Sequence, residues 1–135
     1  MKVESKEPYA SQEEYRKYII RYADVPTIEL VPGIKAHIIS SEKITLSFAS
    51  AEPNVPLPPH RHENEQMLLV LEGAIDFVIE GKRYHVEKGD VIVLPSNTEH
   101  GAYFTEKGAR VIDVFSPPRQ DFVAKLEEVK KHQKT

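Results

Sequence analysis

The chain has 135 residues, with 18 Lys or Arg against 21 Asp or Glu for a net charge of −3, and it has no cysteine. Disulfides and thiolate metal sites are therefore excluded, and there is no electrostatic case for nucleic acid as a partner. No uncharged apolar run is long enough to span a bilayer, and the opening "MKVESKEPYA" lacks the apolar core of a signal peptide. The expectation is one soluble, cytoplasmic domain with no membrane partner, long enough to build a core without covalent staples.

"SQEEYRKYIIRYADVP" opens with a candidate capping box, Ser11 to Glu14, in which two side chains satisfy free amides of a first helical turn. From Tyr18 the composition turns β-branched and aromatic, so the helix is predicted to be short. It ends by Pro26.

After Pro26 the chain reads as short strands broken by turns. In "GIKAHIIS", Ile34, Ala36 and Ile38 alternate with Lys35 and His37. In "KITLSFAS", Ile44, Leu46 and Phe48 alternate with Lys43, Thr45 and Ser47. A period of two marks half-buried strands. "AEPNVPLPP" is too rich in proline for a central strand and is predicted to be a loop. "MLLVLEG" and "AIDFVIEG" follow, each closed by a Glu-Gly turn, then "KRYHVEKG", "DVIVLPSN", "HGAYFTEKG" and "ARVIDVFSPP". Short strands at regular spacing with Gly or Pro punctuation predict an antiparallel sandwich or barrel. In the tail, Phe122, Leu126 and Val129 recur at helical spacing among charges, which predicts an amphipathic C-terminal helix.

Chemistry concentrates in the six histidines. His60 and His62 are one residue apart, so a strand puts both rings on one face. Gln66 shares that parity, while Glu63 and Glu65 point away. His100 follows "LPSNTE", where a turn can aim it at the same point. Three imidazoles and an amide oxygen suit a divalent transition metal, with positions left open for substrate or water. The competing reading is that His60 and His62 are ordinary loop histidines. His37 and His85 share parity with Lys35 and Arg83 and read as solvent-facing, and His132 reads as a solvated helix residue.

These residues resemble the cupin superfamily, small antiparallel β-barrels with a central metal. The first cupin motif runs His-x-His, three or four residues, Glu, six residues, Gly. Here it reads His60, His62, Gln66 and Gly73. The second runs Gly, five residues, Pro-x-Gly, two residues, His. Here it reads Gly89, Pro95, Asn97 and His100. Two departures bear on the site: Gln66 replaces the carboxylate, and Asn97 replaces a glycine. Asn tolerates the left-handed conformation that such a turn needs. The resemblance implies an all-β fold, an antiparallel double-stranded β-helix (the cupin or jelly-roll barrel), with a short N-terminal extension and a C-terminal helix. It is expected as a single domain over residues 1–135, with the barrel core at about 33–115 and the helix at about 119–132.

A finer likeness is to the pectin-degradation cupins that open unsaturated uronate rings. It implies that Gln66 joins His60, His62 and His100 around the metal, and that Asp113, Phe115 and Arg119 line the pocket as catalytic residues. The residues agree in part. Asp113 and Phe115 share strand parity with Ala109 and Val111, opposite Arg110, Ile112 and Val114. The alternative is a solvent-facing aspartate and a surface arginine. A neutral glutamine leaves a divalent ion its full charge, which favours an anionic guest and Lewis-acid chemistry, while Arg119 can clamp a carboxylate. Tyr103 and Phe104 are candidate pocket walls. The metal is expected among manganese, iron, nickel and zinc. Two further readings stay open: an iron-dependent cupin dioxygenase, and a non-enzymatic module binding a metal or sugar acid. Both parities of "MLLVL" are apolar, so a homodimer is expected.

Overall fold

The computed structural model describes residues 4–133. Helix α1 (Gln12–Tyr18) begins at the expected capping box: the Ser11 side chain accepts from the Glu14 amide, and the Glu14 carboxylate accepts from the Ser11 amide. One turn of 3-10 helix follows at Tyr22–Asp24. Eight strands then run in order: β1 (Thr27–Val31), β2 (Ile34–Ser40), β3 (Thr45–Ala51), β4 (Pro56–His60), β5 (Glu65–Ile79), β6 (Lys82–Glu87), β7 (Val91–Leu94) and β8 (His100–Ser116). Helix α2 (Gln120–Gln133) closes the described chain.

All strand pairs are antiparallel, and the order is β1-β2-β3-β8-β5-β6, with β4 added to β8 and β7 to β5. This is the jelly-roll arrangement expected. Several of its elements differ from the sequence reading. "MLLVLEG" and "AIDFVIEG" are not a hairpin but one strand, β5, of 15 residues. Its pairing with β8 shifts register between Val70 and Glu72 and between Gly73 and Ile75. The Glu72-Gly73 pair is therefore used to bend a strand rather than reverse it. The later Glu80-Gly81 pair is a true two-residue turn, with φ of 48° and 79°, as a tight hairpin requires. Likewise β8 is one strand of 17 residues, bent where Gly108 has φ of 65°. Each long strand thereby serves both halves of the fold.

The end of the "AEPNVPLPP" stretch, predicted as loop, forms β4 together with His60. It pairs only with β8, and an edge position is where proline is tolerated because a missing N–H faces no partner.

The core gathers Ile28, Ile34, Ile38, Val70, Ile75, Phe77 and Leu94, all nearly fully buried. Each such side chain stabilises the fold by about 1.5–3 kcal/mol relative to exposure. Leu126 is buried, and Phe122 and Val129 pack beside it, so the amphipathic face of α2 lies where its spacing predicts, against β1 and β2. In β3 the alternation holds but the faces are reversed. Thr45, Ser47 and Ala49 point inward, Leu46 and Phe48 are half-buried on the outer face, and Ile44 is exposed. The cause is local: Thr45 Oγ1 accepts the backbone N–H of Arg119 at 3.0 Å, and Ser47 stands in register with Asp113.

Candidate metal centre

His60 ends β4 and is paired in register with His100, the first residue of β8. This contact needs the glycine that follows, because a Cβ on Gly101 would lie 2.6 Å from the Leu57 carbonyl. His62 lies just beyond β4, in the loop before β5, so the shared strand face expected for His60 and His62 is replaced by a turn that still brings them together. Asn97 has φ of 62°, the left-handed conformation expected of it, and its amide donates to the His62 carbonyl at 2.8 Å. The two motif loops are thus tied to each other. The three rings meet with centroids 4.4 Å (His60–His100), 5.0 Å (His62–His100) and 5.7 Å (His60–His62) apart. One nitrogen from each lies within 4.8 Å of the others.

Each ring turns its Nδ1 to a backbone carbonyl: His60 to Pro58 at 3.1 Å, His62 to Asn64 at 3.0 Å, His100 to Thr98 at 2.8 Å. A carbonyl only accepts, so Nδ1 carries the proton and Nε2 is the free lone pair of the neutral ring. Burial lowers the pKa of His62, with help from the Arg119 charge, and burial takes His100 down to about 4. Both rings are therefore neutral at pH 7.

Gln66, buried at the start of β5, presents Oε1 to His62 Nε2 at 3.1 Å. Its Nε2 donates to Asp113 Oδ1 at 2.9 Å, which fixes the amide oxygen toward the histidines. With Nδ1 of His62 protonated, two acceptors face each other. That pairing is unfavourable in isolation and is relieved by a cation between them. Three oriented imidazoles and one amide oxygen fit a divalent transition metal.

A cavity of about 370 Å³ opens beside these groups. His60, His100, Gln66, Asp113, Phe115, Arg119 and Lys125 line it, together with apolar residues that include Leu68, Phe77 and Phe104. Asp113 and Phe115 face inward with Ala109 and Val111, as their parity predicts. Burial raises the Asp113 carboxyl to about 7, opposed by the Gln66 amide and the Arg119 charge. Arg119 packs over the rings of Phe122 and Phe115, at 3.9 Å and 4.8 Å, with only 11% of its side chain exposed.

Two residues escaped the sequence reading. Asp121 takes Arg119 Nε and Nη2 at 3.0 Å and 2.8 Å, so the guanidinium is held side-on and its Nη1 edge remains for another acceptor. Arg119 in turn holds the Asp121 carboxyl below its ordinary pKa. Asn64, in "HENEQ", is buried and donates to the carbonyls of Pro117 and Pro118, which staples the His62 loop to the turn before Arg119. Its only signal in the sequence was an uncharged residue among glutamates. Tyr103, expected in the pocket wall, is exposed on the outside with Arg83 over its ring, whereas Phe104 does line the cavity. His37 is half-buried rather than solvent-facing, bonded through Nδ1 to the Val25 carbonyl at 2.6 Å. His85 is exposed as expected and pairs with Asp76, which raises its pKa.

Comparison with known families matches residues 48–115 to the cupin domain. The chain belongs to the cupin family. This cupin is 34% identical over 110 residues to the pectin degradation protein KdgF of Dickeya dadantii, covering 80% of this chain and 99% of that one. It is 29% identical over 115 residues to the H2HPP isomerase of Bacillus subtilis, covering 84% of the cupin but 47% of that protein. Among solved structures, KdgF from Halomonas sp. superposes with a TM-score of 0.66 at 32% identity, covering 71% of this cupin and 89% of that chain. Among the described residues no helix is long and apolar enough to cross a membrane.

Proposed function

We propose that this cupin holds a divalent transition metal through His60, His62, His100 and Gln66, and opens the ring of a 4,5-unsaturated uronate to its linear keto form. The observation that carries the reading is that one cavity is lined by metal donors, a buried carboxyl and a held arginine together. Its volume is within the range of small-molecule sites. The likeness to two KdgF proteins supplies the substrate class.

When bound, the metal supplies Lewis acidity at a substrate oxygen. The chain's residues do the rest. Four neutral donors leave the site cationic, which attracts a sugar acid. Arg119, fixed by Asp121 and two phenyl rings, offers its free edge to the substrate carboxylate. Phe115 packs against an apolar sugar face. The Asp113 carboxyl is the proton carrier: a proton leaves the anomeric hydroxyl as the ring bond breaks, and one arrives at C4 as the enol becomes a ketone. Protons balance and no electrons are transferred, so the reaction is an isomerisation. The name of the Bacillus relative, an isomerase, fits a redox-neutral reaction.

The test is the ultraviolet absorbance of an unsaturated uronate incubated with metal-loaded protein. Absorbance should fall with wild type and persist with Asp113→Asn. If wild-type protein loaded with each of manganese, iron, nickel and zinc leaves the absorbance of every unsaturated uronate unchanged, the reading is wrong.

A further inference from the structure

The segment 62–64 is bonded at every carbonyl. The His62 carbonyl accepts the Asn97 amide at 2.8 Å, the Glu63 carbonyl accepts Ser96 Oγ, and the Asn64 carbonyl accepts His62 Nδ1 at 3.0 Å. The first two bonds tie the segment to the turn that leads into His100. The third sets the tilt of the His62 ring and leaves its Nε2 for a metal. A carbonyl is common to all residues, so these bonds alone do not call for asparagine at position 64.

The Asn64 side chain makes a different connection. It is buried, and its Nδ2 donates to the carbonyls of both Pro117 and Pro118. The β5–β8 ladder explains the need. It ends with Glu65 opposite Ser116, and the next residue along β8 is Pro117, which has no N–H to continue it. Two successive prolines bring two carbonyls and no donor. A primary amide carries two N–H groups without charge and can satisfy both. Aspartate, of nearly the same size, would set a carboxylate against two carbonyls. Arg119 follows directly, with its backbone N–H on Thr45 Oγ1 at 3.0 Å and its guanidinium on Asp121.

We propose that Asn64 is a positioning residue for both anchors of the site. Its carbonyl orients a metal donor, and its amide holds the two residues that deliver the arginine. The proposal rests on the reading that the histidines hold a metal and Arg119 an acid. It adds that one buried side chain fixes these two anchors relative to each other. Losing the amide therefore loosens both together, whereas truncating one anchor leaves the other in place.

Two affinities, measured separately, test it. Zinc binding is read by competition with a chelating dye in the absence of sugar. Binding of galacturonate, a saturated uronate without the reactive double bond, is read by calorimetry in chelator. Asn64→Ala and Asn64→Asp should each raise the zinc Kd about 10-fold or more and the galacturonate Kd about 10-fold. An asparagine that only fills space would let Asn64→Asp bind both probes as wild type does. Arg119→Ala should weaken galacturonate alone, and His62→Ala zinc alone. Far-UV circular dichroism at the assay temperature identifies folded variants. A second measurement needs no variant: the Asn64 side-chain NH2 resonances of wild type should shift when galacturonate is added in chelator and, separately, when zinc is added without sugar. Folded Asn64 variants that change one affinity or neither, or NH2 resonances that answer to one probe or neither, overturn the proposal while wild type still binds both probes. A wild type that fails to bind one or both probes sinks the reading of the site itself, and this proposal with it.

Discussion

Replacing Asp113 by Asn should change how the stability of the metal-free protein depends on pH. Asp113 is buried among apolar side chains, and its carboxyl sits at about 7 in the fold against an ordinary 3.8. A carboxyl whose folded pKa is raised contributes stability that is complete below about pH 3.8. That contribution declines as pH rises and is gone once pH has passed through about 7. The gap between the two values corresponds to at most on the order of 4 kcal/mol. The asparagine in Asp113→Asn would keep the hydrogen bond from Gln66, because its oxygen still accepts, but it has no proton to lose. His62 and His100 also titrate, in the opposite sense: their lowered values make the metal-free fold gain stability as pH rises. Their effect is shared by both proteins and cancels in the difference. Urea unfolding in chelator at a series of pH values from 4 to 8 should therefore show wild type losing several kcal/mol relative to Asp113→Asn, with the change concentrated between pH 4 and 7. Two parallel profiles would mean that the carboxyl is not held in a desolvated site, and the account of the cavity wall would be wrong.

Other substitutions probe the remaining groups. Gln66→Glu should tighten metal binding, measured by competition with a chelating dye, while lowering kcat/KM for an unsaturated uronate about 10-fold or more because the site loses net positive charge. Arg119→Ala should lower kcat/KM about 100-fold, mainly through KM, since it removes a charged anchor. Arg119→Lys should restore little, because the side-on grip of Asp121 and the stacking on Phe122 both need a guanidinium. Ser47 Oγ is the buried side-chain polar atom without a hydrogen-bond partner among the described residues. Ser47→Ala should therefore raise stability by about 1 kcal/mol in urea melts, where an ordinary buried serine would lose stability.

Much of the site could be read from spacing because its residues are close in sequence or on one strand face. His60, His62 and Gln66 lie close together where β4 passes into β5, Asn97 takes the left-handed turn that its residue type allows, and Asp113 follows the parity of Val111 and Phe115. The errors have physical causes. Glu72-Gly73 and Glu80-Gly81 are the same dipeptide, yet one bends a strand and the other reverses the chain. The difference lies in which strand pairs opposite, which local sequence does not encode. β3 was legible in period but not in direction, since inside the fold Thr45 accepts the Arg119 backbone N–H and Ser47 stands in register with Asp113, while the outer face takes Leu46 and Phe48. Asp121 was invisible because its role depends on Arg119 being turned back by two prolines and held over two rings.

Strand β8 carries both faces of this arrangement in alternation. Val111, Asp113 and Phe115 look into the cavity, and Ile112 and Val114 look out. Substitutions can therefore tune chemistry and outer surface separately, residue by residue. Insertions cannot: adding one residue between Arg110 and Asp113 would turn Asp113 to the outside and an apolar neighbour into the site at one stroke. In the evolution of such chains, this segment should vary in composition more readily than in length.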